Sequence, residues 1–369
     1  MNILVTGANG FIGLNLCVHL KEAGFDNIVT LTRDDNDISI DEKVKNAGFI
    51  YHLAGINRPE IDGQFKVGNT DLTQKIVDTL VNNERSTPIL LTSSIQAEFN
   101  NPYGVSKAGA ESAIAAYRKK TGSAAYIYRL PNVFGKWCRP NYNSAVATFC
   151  YNTINDLPIT IHNADAPLSV VYIDDVCHSF VSLLINTPSE PEEYSQVEPV
   201  YKTTVGKVVS LLSDFKKSRD SLITSKVGVG FERALYSTYL SYFKPEQFTY
   251  DVPSYSDARG SFSEMLKTTD SGQFSFFTAH PGITRGGHYH HSKNEKFLVL
   301  KGKASFKFKH IVTGEGYELT TSEQVRTIVE TVPGWTHDIT NIGSEELIVM
   351  LWANEIFDRD KPDTVAMPL

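Results

Sequence analysis

Two separate groups of residues in this 369-residue chain have types and spacings suited to chemistry. Gly7-Ala8-Asn9-Gly10-Phe11-Ile12-Gly13 follows the apolar run Ile3-Leu4-Val5, and Tyr103-Gly104-Val105-Ser106-Lys107 stands downstream. A strand, a glycine turn and a helix start make a pyrophosphate cradle. Gly7 permits the tight turn, Gly10 lets the backbone approach the phosphates, and Gly13 lets helix and strand pack closely. Tyr103 and Lys107 are spaced i, i+4 and reach one face of a helix start. A tyrosine hydroxyl titrates at about 10 unperturbed, and a neighbouring ammonium is expected to lower it. Lys107 also reads as a ligand for a nicotinamide ribose. Ser93 and Ser94, after the strand ending at Thr92, can hydrogen-bond a reacting carbonyl oxygen. Thr32-Arg33-Asp34 closes the second strand. An acidic residue there takes the ribose hydroxyls, whereas an arginine accommodates a 2′-phosphate. Arg33 therefore favours NADPH; with Arg33 in solvent, Asp34 would take the ribose.

The second group is His288-Tyr289-His290, then Glu295, then His337 after Pro333-Gly334-Trp335-Thr336. His288 and His290 are two apart, so on a strand they face the same way. Three imidazoles and one carboxylate suit Zn²⁺, Fe²⁺, Mn²⁺ or Ni²⁺, with zinc the first expectation. His280 and His291 are also near, and His291 faces away on a regular strand.

The elements that must position these groups differ between the two ends. Residues 2–6, 28–32, 48–53, 89–92 and 124–129 are short apolar runs, and helical stretches at 11–23, 69–82, 106–121 and 176–184 alternate with them. That alternation predicts a doubly wound, Rossmann-like parallel sheet. Residues 204–215 and 230–243 are helical candidates. From residue 249 onward the runs 274–279, 295–300, 304–310, 324–329 and 347–352 are β-rich and separated by turns, which predicts an all-β sandwich or barrel. The expected domains are 1–246 and 247–369, in keeping with a chain too long for one core.

Bulk properties exclude some partners. A net charge of −7 with no basic stripe argues against nucleic acid. No apolar run approaches the ~18 residues of a membrane span. The opening Met1-Asn2-Ile3-Leu4-Val5 leaves no room for a signal peptide, and four scattered cysteines without C-x-x-C spacing suit a reducing, cytoplasmic setting.

The N-terminal two-thirds resembles the extended short-chain dehydrogenase/reductase family, in its sugar-nucleotide branch. The glycine turn, His52-Leu53-Ala54-Gly55, Thr92-Ser93-Ser94, Tyr103-x-x-x-Lys107, Arg129-Leu130-Pro131-Asn132-Val133-Phe134-Gly135 and Val171-Tyr172-Ile173-Asp174-Asp175-Val176 carry the likeness. It implies Tyr103 as acid–base residue, Lys107 as its partner and Ser94 as the carbonyl-orienting hydroxyl. Gly7, Asn9, Gly10, Phe11, Ile12, Gly13, Leu53, Ala54 and Gly55 would line the cofactor, and Asn132 and Arg58 would touch the substrate. Ser94 is followed by Ile95-Gln96 where a dehydratase of this branch would carry Asp-Glu, which favours reduction.

The C-terminal third resembles the cupin superfamily of jelly rolls, through Gly282, His288-x-His290, Glu295 and Gly302, and through Pro333-Gly334-x-x-His337-x-x-x-Asn341. By this likeness His288, His290, Glu295 and His337 are metal ligands. Asp257-Ala258-Arg259-Gly260-Ser261-Phe262 is similar to the opening strand of cupin-type sugar 3,5-epimerases, which suggests Arg259 or Arg285 as a diphosphate contact. The order of domains resembles the CapF type of capsular-polysaccharide enzymes. That implies a homodimer acting on a UDP-2-acetamido-2,6-dideoxy-4-hexulose. The cupin would invert C3, and the reductase would reduce C4 with NADPH to UDP-2-acetamido-2,6-dideoxy-L-talose, on the route to UDP-N-acetyl-L-fucosamine. The alternatives are a single-activity reductase or dehydratase with a structural or oligomerising cupin.

Overall fold

Short β-branched runs punctuated by glycine and asparagine make strands at the N-terminal end, and the computed structural model shows them as the centre of a parallel sheet. It describes residues 1–59, 61, 63–186, 193–252, 254–257, 260–263, 266–268, 272–355 and 360–369, with backbone alone at 254–257, 260–263, 267–268 and 273–275. These residues cluster into two units. One holds Met1–Phe134, Asn141–Ser144 and Leu168–Lys202; the other holds Gly135–Pro140, Ala145–Pro167 and Thr203–Leu369.

In the first unit the chain runs β1 (Ile3–Thr6), α1 (Phe11–Glu22), β2 (Ile28–Leu31), α2 (Asp37–Lys45) and β3 (Phe49–His52). A short turn α3 (Gly63–Phe65) leads through a π-helical stretch at Lys66–Asp71 into α4 (Leu72–Asn82). Then come β4 (Ile89–Ser94), α5 (Pro102–Thr121), β5 (Ala125–Leu130) and β6 (Asn132–Phe134). The five-stranded sheet is parallel, in the order β2-β1-β3-β4-β5. Strand β1 is flanked by β2 on one side and β3 on the other. The chain order therefore reverses at β1–β3, the place where open α/β sheets form a ligand crevice. Leu4, Ile50 and Leu91 of the sheet pack with Ile76, Leu80, Ala110 and Ile114 of α4 and α5 in one buried cluster. Helix α5 starts at Pro102, four residues before the expected 106, because Asn101 caps it by accepting from Gly104 N–H at 2.8 Å. Helix α2 is an addition to the expected elements: its polar sequence hides the two buried contacts, Ile40 and Val44, that hold it.

Further along lie α6 (Ala145–Ile154), β7 (Pro167–Tyr172), α7 (Ile173–Ile185), β8 (Val200–Thr204), α8 (Val205–Ser221), β9 (Ile223–Thr224) and α9 (Gly230–Leu240). Strands β6, β7 and β8 form a small sheet of their own. The β-rich region follows: β10 (Thr249–Asp251), β11 (Ser254–Asp257), β12 (Gly260–Ser263), β13 (Lys267–Thr268), β14 (Gln273–Ala279), β15 (Thr284–Tyr289), β16 (Glu295–Lys301) and β17 (Lys303–His310). It ends with β18 (Gly316–Ser322), β19 (Thr327–Glu330), β20 (Trp335–Asn341), β21 (Leu347–Ala353) and β22 (Val365–Ala366). Two antiparallel five-stranded sheets result, ordered β10-β19-β16-β21-β14 and β18-β17-β20-β15-β22. The strands from β14 to β21 divide between the two sheets as in a jelly roll. The expected strand at 324–329 begins only at Thr327, and β18 fills the preceding stretch. Among the described residues, no helix is long and apolar enough to cross a membrane.

In the second unit, α8 and α9 cover the outer face of the sheet that contains β16. Lys296 and Glu330, each 1% exposed, pair there at 2.8 Å. Lys296 Nζ also donates to Tyr250 Oη at 2.9 Å, and Tyr236 of α9 donates to Glu330 Oε1 at 3.5 Å. Breaking a buried pair by removing one partner strands the other charge. Lys296→Met should therefore destabilise this unit by about 3–5 kcal/mol, and Lys296→Met/Glu330→Leu should recover most of the loss. Urea unfolding of both variants is the check; equal losses in the two would contradict a pair-centred account.

Candidate functional site

At the first centre, the turn after β1 is shaped by close backbone approach. Gly7 has φ +68, and a Cβ there would stand 2.8 Å from the Ala54 backbone. A Cβ on Gly13 would lie 2.3 Å from Gly7 O, so helix α1 can seat against the turn only with glycine at that position. Helix α1 opens at Gly10 with no side-chain cap, and Asn9 and Gly10 are exposed. Its first amides and positive dipole end thus suit an anion.

The opposite lip, Leu53-Ala54-Gly55, is held by a directional hydrogen-bond chain. Ala54 N–H donates to Thr6 Oγ1 at 3.0 Å, and Thr6 Oγ1 meets His52 Nδ1 at 2.8 Å. His52 Nε2 meets Thr73 Oγ1 at 2.9 Å, and Thr73 donates to Asn69 O at 2.7 Å. Each hydroxyl has one proton, so Thr73 must accept from His52 Nε2–H and Thr6 must donate to Nδ1. Burial holds the His52 ring neutral, its pKa down at about 3. The Asn69 side chain accepts from Ile56 N–H and donates to Ile56 O, both at 2.9 Å, fixing the residue after Gly55.

Tyr103 stands at the start of α5. A Cβ on Gly104 would meet Phe99 O at 2.3 Å and Gln96 O at 2.4 Å, so glycine lets α5 press against the turn that follows β4. That contact brings Tyr103 to Ser94. Burial raises the Tyr103 hydroxyl above its ordinary value, and its hydrogen bond with Ser94 opposes this. The direction corrects the expectation of a tyrosine lowered by Lys107. Desolvation outweighs an ammonium 5.9 Å from the ring centroid, and it is Lys107 whose pKa falls, to about 8, through burial opposed by Glu111. Lys107 Nζ donates to Thr92 O at 3.0 Å. Behind it, Glu111 accepts from Arg129 at 3.0 and 2.7 Å and from Ser93 Oγ at 2.5 Å.

In the second unit the donor atoms of His288, His290, Glu295 and His337 all lie within 4.8 Å of one another. Glu295 Oε2 is 3.1 Å from His290 Nε2 and 3.5 Å from His337 Nε2. The rings of His288 and His337 are 4.9 Å apart. Burial, then His337 and His290, push His288 down to about 4, and burial lowers His337 too. Burial works to raise Glu295, but the surrounding imidazoles hold it well below the usual carboxylate range. Neutral imidazoles beside a carboxylate are the forms that bind a cation. A bulge in β15 aligns the set: Arg285 pairs with Ile339 and Gly286 with Asp338, then His288 with His337, leaving Gly287 extra.

Most of the remaining expected contacts are exposed. Arg33 is exposed. Arg58 is exposed and donates to Tyr142 O, and exposed Asn132 donates to Ser169 O at 3.4 Å. Arg285 is exposed over the Phe277 ring and donates to Thr278 O at 2.9 Å; the bulge puts it on the same face of β15 as His288. Arg259 lies outside the described residues. His291 is buried, and its N–H donates to Asp363. Asp363, Asn69 and Glu111 carry much of the geometry without belonging to a quoted motif, and His52, quoted at the head of one, does so through its ring. For Asn69 and Glu111 the polar residue inside an apolar helical face was the available signal.

Residues 3–195 match the NAD dependent epimerase/dehydratase family, and residues 255–365 match the polysaccharide biosynthesis C-terminal domain. A Pseudomonas aeruginosa protein described as UDP-2-acetamido-2,6-beta-L-arabino-hexul-4-ose reductase is 56% identical over 366 residues, which is 99% of this chain and 98% of that one. The solved structure of the capsular polysaccharide assembling protein CapF from Staphylococcus aureus aligns over 100% of both chains, at 41% identity and a TM-score of 0.69. The UDP-glucuronic acid 4-epimerase of Bacillus cereus aligns over 58% of this chain and 83% of its own, at 20% identity and a TM-score of 0.52, a likeness of fold.

The His52 chain has a pH signature. Its folded pKa of about 3 lies below the ordinary 6.5, so only the unfolded chain takes up this proton as the pH falls between those values. Stability from this group is complete above 6.5 and declines towards 3. The wild type should lose about 2 kcal/mol more than His52→Gln between pH 7 and pH 5. Parallel pH dependence of the two urea midpoints would rule this out.

Proposed function

We propose that this chain, which belongs to the NAD dependent epimerase/dehydratase family, acts twice on a UDP-sugar 4-ketone: inversion at C3, then reduction at C4. The 56% identical reductase and the full-length likeness to CapF support reduction of a nucleotide-sugar ketone. The finer reading assigns reduction to residues 1–246 and C3 epimerisation to the cupin at 247–369. The substrate is a UDP-2-acetamido-2,6-dideoxy-4-hexulose and the product UDP-2-acetamido-2,6-dideoxy-L-talose, made by a homodimer.

The observation that carries the reductase half is the placement of Tyr103 one turn before buried Lys107, whose Nζ lies 5.9 Å from the Tyr103 ring centroid and bonds the Thr92 carbonyl on the strand that ends at Ser94. Gly7, Gly10 and Gly13 would hold a nicotinamide cofactor, which would supply hydride for C4, and Arg33 would favour NADPH by accommodating a 2′-phosphate. Tyr103 gives the ketone oxygen its proton while Ser94 hydrogen-bonds the same oxygen. A tyrosine kept protonated by burial suits a proton donor. Lys107 brings positive charge towards the tyrosinate left behind.

The cluster fits a divalent cation on chemical grounds. His290 Nδ1 meets Asp363 O at 2.5 Å; a carbonyl only accepts, so the ring proton sits on Nδ1. His290 Nε2 is then the ring nitrogen turned to Glu295 Oε2, 3.1 Å away, and a cation bound between them would take the place of the shared proton. A divalent metal there, zinc first, supplies charge that acidifies the C–H next to a ketone. His288, His290, Glu295 and His337 would hold it, and Arg285 would bind the diphosphate.

Incubation with the 4-ketone in D₂O separates the two halves. Tyr103→Phe should slow NADPH oxidation by about 10²–10⁴-fold and leave deuterium entry at C3 intact. His290→Ala should stop C3 exchange. Loss of both activities in both variants, with folds intact, would defeat the two-centre reading. Reduction should also decline above pH 8 as Lys107 loses its proton, and Lys107→Arg should move that alkaline limb upward. An unmoved limb would assign it to another group.

A further inference from the structure

The four donors sit on three segments, and one stretch of chain that belongs to neither histidine motif touches the surroundings of all four. Strand β22 pairs with β15, placing Ala366 opposite His288 and Val365 opposite Tyr289. Asp363 O receives the His290 ring proton at 2.5 Å. Thr364 Oγ1 accepts from Lys293 Nζ at 3.0 Å, and the same ammonium lies 3.5 Å from Glu295 Oε1. Thr336, next to His337, donates from Oγ1 to Met367 O at 2.5 Å, and Met367 N–H donates to Gly287 O at 2.8 Å.

Asp363 is tied down more strongly than its neighbours. Its carboxylate accepts from three successive amides: His291 at 2.8 Å, Ser292 at 2.6 Å and Lys293 at 2.6 Å. Ser292 Oγ donates to it as well, at 3.0 Å, and Arg233 lies 3.7 Å away. Charge-assisted bonds of this kind are short and roughly twice as strong as neutral ones. They pin residue 363 to the turn that joins the two histidines to Glu295. The carbonyl of the same residue is thereby held over His290 Nδ1. One residue thus fixes a backbone turn with its side chain and an imidazole tautomer with its main chain.

We propose that Asp363–Met367 is a clasp for the donor cluster, and that Asp363 is the positioning residue that makes His290 present Nε2 to a metal. The proposal rests on the reading of the cluster as a metal site. It requires no contact between Asp363 and the ion. A residue that orients a ligating histidine is worth about 10–100-fold in metal affinity.

The test uses the full-length protein and zinc competed against a chromophoric chelator, with imidazole ¹⁵N–¹H NMR of the metal-free protein as a second readout. Asp363→Ala keeps the carbonyl but loses the carboxylate that holds it. We expect zinc affinity to fall about 10–100-fold and the His290 Nδ1–H signal to broaden or disappear, with NADPH binding unchanged. Asp363→Asn retains a side-chain oxygen for the turn and should fall between wild type and Asp363→Ala. Wild-type zinc affinity in Asp363→Ala overturns the clasp; if that variant does not fold, wild-type affinity in Asp363→Asn does so. A wild-type protein that binds no zinc removes the metal reading instead. The tautomer signal then decides alone: preserved in Asp363→Ala or, if that variant does not fold, in Asp363→Asn, it refutes the clasp.

Discussion

Taking an ammonium or a carboxylate out of water costs several kcal/mol unless partners replace the lost solvation. Both candidate centres are arranged around that cost. Lys107 is buried with its head on the Thr92 carbonyl, and Glu111, one turn along α5, opposes the loss of its proton. Glu111 in turn is held by Arg129 and Ser93. Glu295 is buried among His290, His337 and Lys293. In each place a group able to react stands in front of a group that only supports it. The support is what lets a weakly held proton or an open lone pair persist without water.

The alternation of a strand does the rest in the β-rich unit. Successive residues of β16 face opposite ways, so Glu295 joins the cluster while Lys296 joins the buried ion pair with Glu330. The same strand is therefore fixed from both sides, by ring contacts such as Phe297 with Phe306 at 5.8 Å and, on the other face, by Arg219 and Tyr236 of the helix layer and Tyr250 of β10. The bulge at Gly286–His288 breaks that alternation in β15, and so brings Arg285 to the face that carries His288.

Much of this was legible in the residues. The glycine turn and the Tyr103–Lys107 spacing are local geometry, the His288, His290, Glu295, His337 set was marked by residue type and motif, and the structure brings each set together. What stayed hidden works at long range or through burial. Asp363 lies far along the chain from His290 and outside both histidine motifs, and only pairing of β22 with β15 makes them neighbours. His52 heads the His52-Leu53-Ala54-Gly55 likeness, but what its ring does emerges only where Thr6 and Thr73, from two other elements, close on it. The direction of the Tyr103 shift could not be read from spacing, because desolvation depends on everything packed around the hydroxyl. Helix α2 and strand β18 carry weak periodicity, since each buries few side chains.

The interleaving of the two units bears on how the molecule comes to exist. Residues 135–140 and 145–167 belong with chain that begins only at Thr203 and runs to Leu369. A ribosome adds about 5–20 residues per second. Those early segments, the largely buried helix α6 among them, therefore wait on the order of ten seconds for most of their partners to be made. The parallel sheet of the first unit can close before then. The second unit is completed only when the last strands emerge, so its apolar surfaces are exposed to chaperones, or to one another, for the longest part of synthesis.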